Sequence, residues 1–298
     1  LSVTQAATLE NSLRYSRSHE QEADRIGMET IYKAGLDPTA VSQMFEQMMQ
    51  ATRYTGSNPP EFLLTHPLTE KRVSDTASRV GQYPARQYSE SPTFALMKAR
   101  ALVSIDANPQ LSIQRFKGEL QNRTANSTAS RYGLAIAQIQ AGQHDSARKN
   151  LQLLLKSSPQ NLHFLMASID NEKQAGNLSR AINQAVALLK KHPNYYPLHL
   201  IQAESYLLNN QFDASESVLT KLTRTRGNDP QVWYLLAEVR GLAGDIIGLH
   251  QARAEYFTLT GVFDQARKQL NYAAKLAGQD HRQSAIISQR LRELQAME

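Results

Sequence analysis

The 298-residue sequence contains no cysteine. Disulfide bonds, thiolate metal ligands and cysteine nucleophiles are therefore excluded for these residues, and the composition suits an oxidising compartment. No apolar run approaches the roughly 18 to 20 residues of a membrane-spanning helix, so we expect a chain that does not cross a bilayer. The sequence opens Leu-Ser-Val-Thr, and no export signal is visible. We therefore expect a processed or truncated product.

Acidic residues are scarce in the C-terminal part of the chain, although the net charge of the whole is only +6. Residues 1–91 hold nine Lys/Arg and eleven Asp/Glu (net −2), and residues 92–298 hold 24 and 16 (net +8). A basic half can attract nucleic acid, an anionic membrane or an acidic protein. We find no dense Lys/Arg block with interleaved aromatic residues, so we expect a solvated charged face and no nucleic-acid binding.

Turn-forming residues recur at intervals of 34 in the C-terminal part: Asn108, Gly142, Gly176, Asn210 and Gly244. Each lies between two stretches of apolar helical periodicity, where a tight interhelical turn needs a residue that tolerates positive φ. This is the period of tetratricopeptide repeats, which stack helix pairs into a superhelix with a concave binding groove. We predict such an array over residues 92–298, with a capping helix near 281–296.

The repeats are degenerate in sequence. Eleven residues before each turn, where the repeat pattern favours a large aromatic residue, stand Met97, Arg131, Leu165, His199 and Trp233. Only Trp233 matches. Gly261 follows Gly244 after 17 residues and resembles the turn of another repeat, so we expect one helix near 247–260 to be shared by two pairs. Residues 92–298 show no catalytic arrangement and no histidine pair at ligand spacing, which indicates a binding surface.

Two carboxylates interrupt an otherwise apolar helical face near the N-terminus. The face consists of Leu9, Leu13, Ser16, Glu20, Asp24, Gly27 and Ile31, which are three or four residues apart. A buried carboxylate needs a cation, hydrogen-bond donors or a metal ion. The spacing leaves three interpretations open for Glu20 and Asp24: pairing with arginines such as Arg17 or Arg14, exposure to water, or a metal site.

An apolar patch follows at helical spacing, formed by Met44, Phe45, Met48 and Met49. Methionine is flexible enough both to fill a core and to contact varied substrates. Core packing is the interpretation that we favour, and a substrate-contact surface is the alternative.

The segment Ser16-Arg-Ser-His-Glu-Gln-Glu-Ala-Asp-Arg-Ile-Gly27 resembles the Ser-Arg-x-x-Glu-x-Glu-Ala-Asp-x-x-Gly signature of a zinc metallopeptidase family that includes the CAAX-prenyl endopeptidases. The resemblance implies that Glu20 is a ligand of Zn²⁺ and that Asp24 is a catalytic residue that supports the site or donates a proton. A carboxylate and two imidazoles can hold zinc while a coordination position stays open for water.

A second segment, Leu64-Thr-His-Pro-Leu-Thr-Glu-Lys-Arg-Val73, resembles the family's Thr-His-Pro-x-x-x-x-Arg-Ile sequence. The resemblance implies that Arg72 supports the site and that His66 lies near the metal; a histidine at an ordinary helix start is the alternative. It further implies that His66 occupies the open zinc position and keeps the enzyme latent. Residues 54–60 have the composition of a loop that could withdraw it.

One feature of the family is missing from the 298 residues. The family's two imidazole ligands and its catalytic base lie on a His-Glu-x-x-His helix. His19-Glu20 begins in the same way, but residue 23 is alanine, so the second histidine is absent. We therefore expect the His-Glu-x-x-His helix to precede residue 1, and we expect this polypeptide alone not to hydrolyse peptides.

The two parts together predict an all-α protein: residues 1–91 are the C-terminal part of a zincin-like metallopeptidase domain, and residues 92–298 are a tetratricopeptide superhelix. The combination resembles bacterial periplasmic metallopeptidases with C-terminal repeats. It implies a zinc endopeptidase with a chaperone-like role in the quality control and assembly of outer-membrane β-barrel proteins, which the repeat groove recruits together with their assembly machinery. Association with a membrane surface is compatible with it. A non-catalytic helical-repeat adaptor is the alternative.

Overall fold

A computed structural model describes residues 3–54, 66, 68–84, 86, 88, 91–122 and 126–297, without the side chains of residues 3–17 and 51–54. These residues form fifteen α-helices and no strand, which confirms the all-α prediction. The chain divides into two compact units, residues 1–90 and residues 91–298. Within the described ranges, every helix is too short or too polar to cross a bilayer.

The described residues of the first unit form three helices, α1 (Val3–Lys33), α2 (Thr39–Tyr54) and α3 (Glu70–Val80). α1 ends before Gly35, whose φ of +77° lies in the left-handed region that favours glycine. The Thr69 side chain caps α3 by accepting a hydrogen bond from the backbone N–H of Arg72. The turn at Gly35 thus ends α1, and the Thr69 cap begins α3.

In the second unit, the part of the chain that the structure describes forms twelve helices in sequence. They are α4 (Pro92–Ile105), α5 (Pro109–Asn122), α6 (Ser127–Gln140), α7 (His144–Ser157), α8 (Leu162–Gln174), α9 (Leu178–Leu189), α10 (Tyr196–Leu208), α11 (Phe212–Thr225), α12 (Pro230–Ala243), α13 (Ile246–Leu259), α14 (Phe263–Ala277) and α15 (His281–Met297). Neighbouring helices pack against one another along the chain. This arrangement of stacked helix pairs is the one that the 34-residue period predicted.

Four of the five predicted turn residues have positive φ: Gly142, Gly176, Asn210 and Gly244. The residue after each one donates its N–H to a carbonyl five residues earlier, at 2.8 to 2.9 Å, as in the Schellman motif. Asn108 differs, because the residue before a proline is confined to extended conformations. Its side chain instead accepts a hydrogen bond from the Gln110 N–H at 2.9 Å and so helps to begin α5.

Helix α13 serves two helix pairs, as the 17-residue step between Gly244 and Gly261 predicted. Ala252 belongs to a buried cluster with residues of α10 to α12, whereas Ala254 belongs to a cluster with residues of α14 and α15. α15 caps the array and buries Ile287 and Leu294. Ile286, which the sequence placed on the same side, is half exposed, because it lies one residue away from the buried face.

Candidate functional site

Glu20 and Asp24 lie one turn apart on α1, on the face that the sequence predicted to be buried. Their side chains are 16% and 7% exposed, respectively. The same face continues at Met28, which is fully buried. Two acidic groups in such a position require compensating charge or hydrogen-bond donors, because water reaches them poorly. Leu9, Leu13 and Ser16 share the predicted face, but their side chains lie outside the described residues.

Arg72 of α3 supplies that compensation. Its Nε and Nη2 donate to the two carboxylate oxygens of Asp24 at 2.8 and 2.6 Å, and its Nη1 lies 3.0 Å from Oε2 of Glu20. The guanidinium also lies over the Phe45 ring of α2, 5.1 Å from the ring centroid. Helices α1, α2 and α3 therefore meet at one arginine whose side chain is 11% exposed.

Local structure fixes where Arg72 stands. Its backbone N–H donates to the Oγ1 of Thr69 at 3.3 Å, and its carbonyl accepts from the hydroxyl of Thr76, a fully buried residue, at 2.9 Å. The hydrogen bond to Asp24 raises the pKa of Arg72 above its ordinary value, against the opposing effect of burial. The arginine is a fixed cation between two carboxylates.

His66 lies on the other side of Glu20. Its Nδ1 is 2.5 Å from Oε1 of Glu20, and its side chain is 64% exposed. A carboxylate oxygen can only accept, so the imidazole donates from Nδ1. The structure thus brings Glu20, Asp24, Arg72 and His66 together, although His66 and Arg72 are 46 and 52 residues distant from Glu20 in sequence. Residues 55–60 of the predicted loop lie outside the described residues.

The two carboxylates differ in what they can do chemically. Both oxygens of Asp24 accept from Arg72, so Asp24 orients the arginine, and this favours the supporting role over proton donation. Glu20 is held by Arg72 through Oε2 alone, and its Oε1 faces His66. Glu20 is therefore the acidic group of the site with an oxygen that is not committed to the guanidinium.

The donor set fits part of a zinc site. Glu20 offers a carboxylate and His66 offers an imidazole, and both groups are ordinary zinc ligands. Three protein ligands are usual in a catalytic zinc site, and no three His, Asp or Glu side chains are grouped for one ion in the described part of the chain. Glu20, the predicted zinc ligand, therefore lies beside Arg72 and His66. The two histidines that the resemblance places on a His-Glu-x-x-His helix are not among the 298 residues at that spacing.

Two residues of the site were not identified from the sequence. The sequence predicts core packing or substrate contact for Phe45, and this residue is 94% buried. Its ring also packs against the guanidinium of Arg72, which the sequence did not indicate. The cap at Thr69 was overlooked as well. The signal was present, since a threonine followed by Glu and an apolar helical pattern is typical of a helix start.

Comparison with known proteins gives matches in both units. Residues 1–80 match the model of Peptidase family M48, and residues 173–239 match that of a tetratricopeptide repeat. The chain is 33% identical over 300 residues to the beta-barrel assembly-enhancing protease of Escherichia coli K12. The alignment covers 99% of this chain and 61% of that protein. The corresponding protease of Yersinia pestis is 34% identical over 275 residues, covering 89% of this chain and 55% of that protein.

These matches confirm the predicted resemblance to a metallopeptidase family and to tetratricopeptide repeats. The chain spans about three fifths of the length of the curated relatives. Among solved structures, a tetratricopeptide repeat protein from Parabacteroides merdae is 15% identical, with a TM-score of 0.41 and coverage of 93% of this chain and 99% of that chain. A MamA RS-1 double mutant is 16% identical, with a TM-score of 0.43 and coverage of 58% and 97%.

Proposed function

Because the chain resembles beta-barrel assembly-enhancing proteases over nearly its whole length, we propose that it is part of a zinc-dependent endopeptidase of the bacterial periplasm. The enzyme takes part in the quality control and assembly of outer-membrane β-barrel proteins, with a chaperone-like role beside proteolysis. Its repeat unit recruits either those proteins or their assembly machinery. A role of this kind needs a hydrolytic centre and a surface that binds proteins, and the two units supply candidates for each.

The observation that carries the proposal is the environment of Glu20. A carboxylate that is 16% exposed is held by Arg72 through one oxygen, while the other oxygen lies beside an imidazole. A purely structural ion pair would be complete with Arg72 and Asp24, whose two-fold hydrogen bonding leaves no need for a second acid. A second acid with an oxygen that the guanidinium does not hold is what a metal ligand requires.

In this mechanism Glu20 binds the metal ion through its carboxylate. A zinc ion held there would supply an activated water and polarise the carbonyl of the peptide bond. Arg72 fixes the orientation of Glu20 through Oε2, and Asp24 fixes Arg72 in turn, so both are positioning residues whose geometry controls the ligand. His66 covers the uncommitted oxygen of Glu20 and acts as the gate that must withdraw before substrate enters.

The test is to replace Glu20 by glutamine in the complete gene product and to measure zinc stoichiometry and peptide hydrolysis. Glu22→Gln is the matched control, because Glu22 lies on the same helix but pairs with Arg25 at an exposed position. We expect Glu20→Gln to lower zinc affinity and activity by at least tenfold, the order of effect known for groups that tune metal sites. Unchanged zinc content and activity in Glu20→Gln would contradict the proposal.

A second candidate is a non-catalytic adaptor, in which the first unit supports the repeat unit. It is favoured by the absence of a three-ligand cluster from the described residues. Metal analysis of the unmodified gene product separates the two functions. A stoichiometric zinc ion supports the endopeptidase, whereas a product that binds no zinc and hydrolyses nothing, yet still binds partner proteins, is an adaptor.

A further inference from the structure

The repeat unit contains an open cavity of about 660 Å³ between α10 and α11, which we name the α10–α11 cavity. One side of the cavity is lined by His199 and Gln202 of α10. The other side is lined by Lys221 of α11 and by Arg226, which follows α11. It lies within a single helix pair, and both helices are buried against their neighbours by apolar residues. The cavity is therefore a built feature of one repeat.

A substitution in the repeat pattern explains why this pair is open. His199 stands where the following pair has Trp233, 34 residues later. The two rings make equivalent hydrogen bonds: Nε1 of Trp233 donates to the Gly227 carbonyl, and Nε2 of His199 lies by the Pro193 carbonyl, each at 2.7 Å. Imidazole is much smaller than indole, so the same anchoring leaves unfilled space beside His199.

The charge of the α10–α11 cavity is positive. Neither Lys221 nor Arg226 forms an ion pair with a described residue, and none of the lining residues is Asp or Glu. The guanidinium of Arg226 lies over the Tyr196 ring at 5.1 Å. Asp229 stands close by, but it accepts from the Tyr196 hydroxyl at 2.6 Å and from the Gln231 N–H at 2.9 Å. Two cations thus face the cavity without an acidic partner in it.

Gln202 adds a polar group to the lining of the cavity. It is 8% exposed, and its side-chain amide makes no hydrogen bond to any described residue. The equivalent residue of the next pair is Leu236, which is 2% exposed, so the position belongs to the core in an ordinary repeat. Neither of its amide atoms is among the fully buried, unpartnered side-chain atoms of the described residues, so the amide reaches the cavity and is open to a ligand or to water.

We propose that the α10–α11 cavity binds an acidic segment of a protein chain. An Asp or Glu carboxylate of that segment lies between Lys221 and Arg226, and the Gln202 amide donates to the same carboxylate or to a neighbouring backbone carbonyl. Val218 and Leu222 offer apolar contact to the carbon chain of the acidic residue. This inference names the chemistry of the partner that the proposed recruitment by the repeat unit requires, and it rests on that proposed function.

The probe is the peptide Leu-Glu-Leu-Glu-Leu-amide with fluorescein attached to its N-terminal amine, titrated with the 298-residue chain and followed by fluorescence anisotropy. A matched peptide with both Glu replaced by Gln is the neutral probe. We expect the acidic peptide to bind at least about tenfold more tightly, and we expect its affinity to fall with added salt, because charges at an open cavity are screened. Equal affinity for the two peptides would overturn the inference.

Four variants locate the binding. Lys221→Gln and Arg226→Gln remove the cations, Gln202→Leu installs the residue of the next pair, and His199→Trp fills the space. We expect each to weaken binding of the acidic peptide by roughly five- to tenfold. Lys149→Gln, at an exposed lysine of α7, is the matched control and leaves affinity unchanged.

Gln202→Leu also separates binding from a structural role. A core leucine raises the melting temperature whether or not a ligand binds, whereas the peptide affinity of the same variant reports binding. Unchanged peptide affinity in Lys221→Gln and Arg226→Gln, which are surface changes that leave folding intact, would refute the site. So would binding of anionic lipid vesicles in place of the peptide. The assay needs no peptidase activity, so its failure is distinct from failure of the Glu20→Gln test.

Discussion

Arg72 binds Asp24 through two parallel hydrogen bonds of 2.8 and 2.6 Å, from Nε and Nη2 to the two carboxylate oxygens. This fork leaves only Nη1 for Glu20, at 3.0 Å. Because a bidentate pair fixes the plane of the guanidinium, the position of Nη1, and with it that of the Glu20 carboxylate, follows from Asp24. Asp24 therefore sets the position of the Glu20 carboxylate without touching it.

We expect Arg72→Ala to destabilise the protein by about 3 to 5 kcal/mol, because two poorly hydrated carboxylates lose their only described guanidinium. Arg72→Lys restores the charge but not the fork, and it recovers only part of the loss. Urea unfolding followed by circular dichroism measures both. Arg79→Ala is the control: it removes a more exposed pair with Asp75, and about 0.5 kcal/mol is expected. Equal losses for Arg72→Ala and Arg79→Ala would contradict the arrangement.

His66→Ala is expected to increase hydrolysis of a fluorogenic casein by the complete gene product several-fold, because it uncovers Oε1 of Glu20. Stability changes by no more than about 0.5 kcal/mol, since the histidine is mostly exposed. His281→Ala, at the exposed start of α15, serves as the control. A His66→Ala enzyme with unchanged or lower activity is incompatible with a gating role.

Glu172 should contribute to the loss of stability in acid. Its side chain is 2% exposed; burial alone would raise its pKa, but hydrogen bonds from Arg148 and Asn177 together with the nearby arginines outweigh burial and lower the pKa below 4.5. Because its pKa is lower in the folded state, the Glu172 carboxylate contributes fully to the free energy of unfolding above pH 4.5. This contribution is lost as the pH falls through the folded-state pKa.

We therefore expect Glu172→Gln to be about 1 to 3 kcal/mol less stable than the parent near pH 7, with the difference shrinking below pH 4.5. Urea unfolding at several pH values checks this result. Glu238→Gln, at an exposed position of α12, gives a constant difference. A difference for Glu172→Gln that does not change with pH would show that the carboxylate charge is irrelevant there.

Two glycines should respond in opposite ways to alanine. Gly176 has φ +79° and open space around a Cβ, so Gly176→Ala costs only backbone strain, about 1 kcal/mol. Gly118 lies within α5 and also has open space, so Gly118→Ala stabilises by roughly 0.5 to 1 kcal/mol. Thermal unfolding of the two variants gives the comparison. Destabilisation by both would mean that helical packing at α5 is tighter than the structure shows.

The sequence predicts the repeat unit better than the site, for a physical reason. Turn residues with positive φ act locally, so Gly142, Gly176 and Gly244 could be read from spacing alone. Asn108 failed that rule because the adjacent Pro109 imposes a stronger local constraint. Both kinds of effect involve neighbouring residues.

The partners of Glu20 depend on tertiary structure. Helical spacing placed Glu20 and Asp24 on one face and indicated that they need a cation. It could not distinguish a nearby arginine such as Arg17 from an arginine that is distant in sequence. Arg72 was indicated only by the resemblance of its segment to a family sequence. The ring of Phe45 beneath it could not be predicted, because nothing in α2 marks which apolar side chain meets a guanidinium.

The doubly used helix α13 restricts how the repeat unit can be shortened. Ala252 and Ala254 face separate apolar clusters, so a chain cut after Leu259 would expose the side of α13 that α14 and α15 normally cover. A cut after Thr225 would likewise expose the apolar residues of α10 and α11 that α12 covers. Truncated versions for expression or crystallisation should therefore retain everything to α15, since both shorter lengths leave an exposed apolar surface prone to self-association.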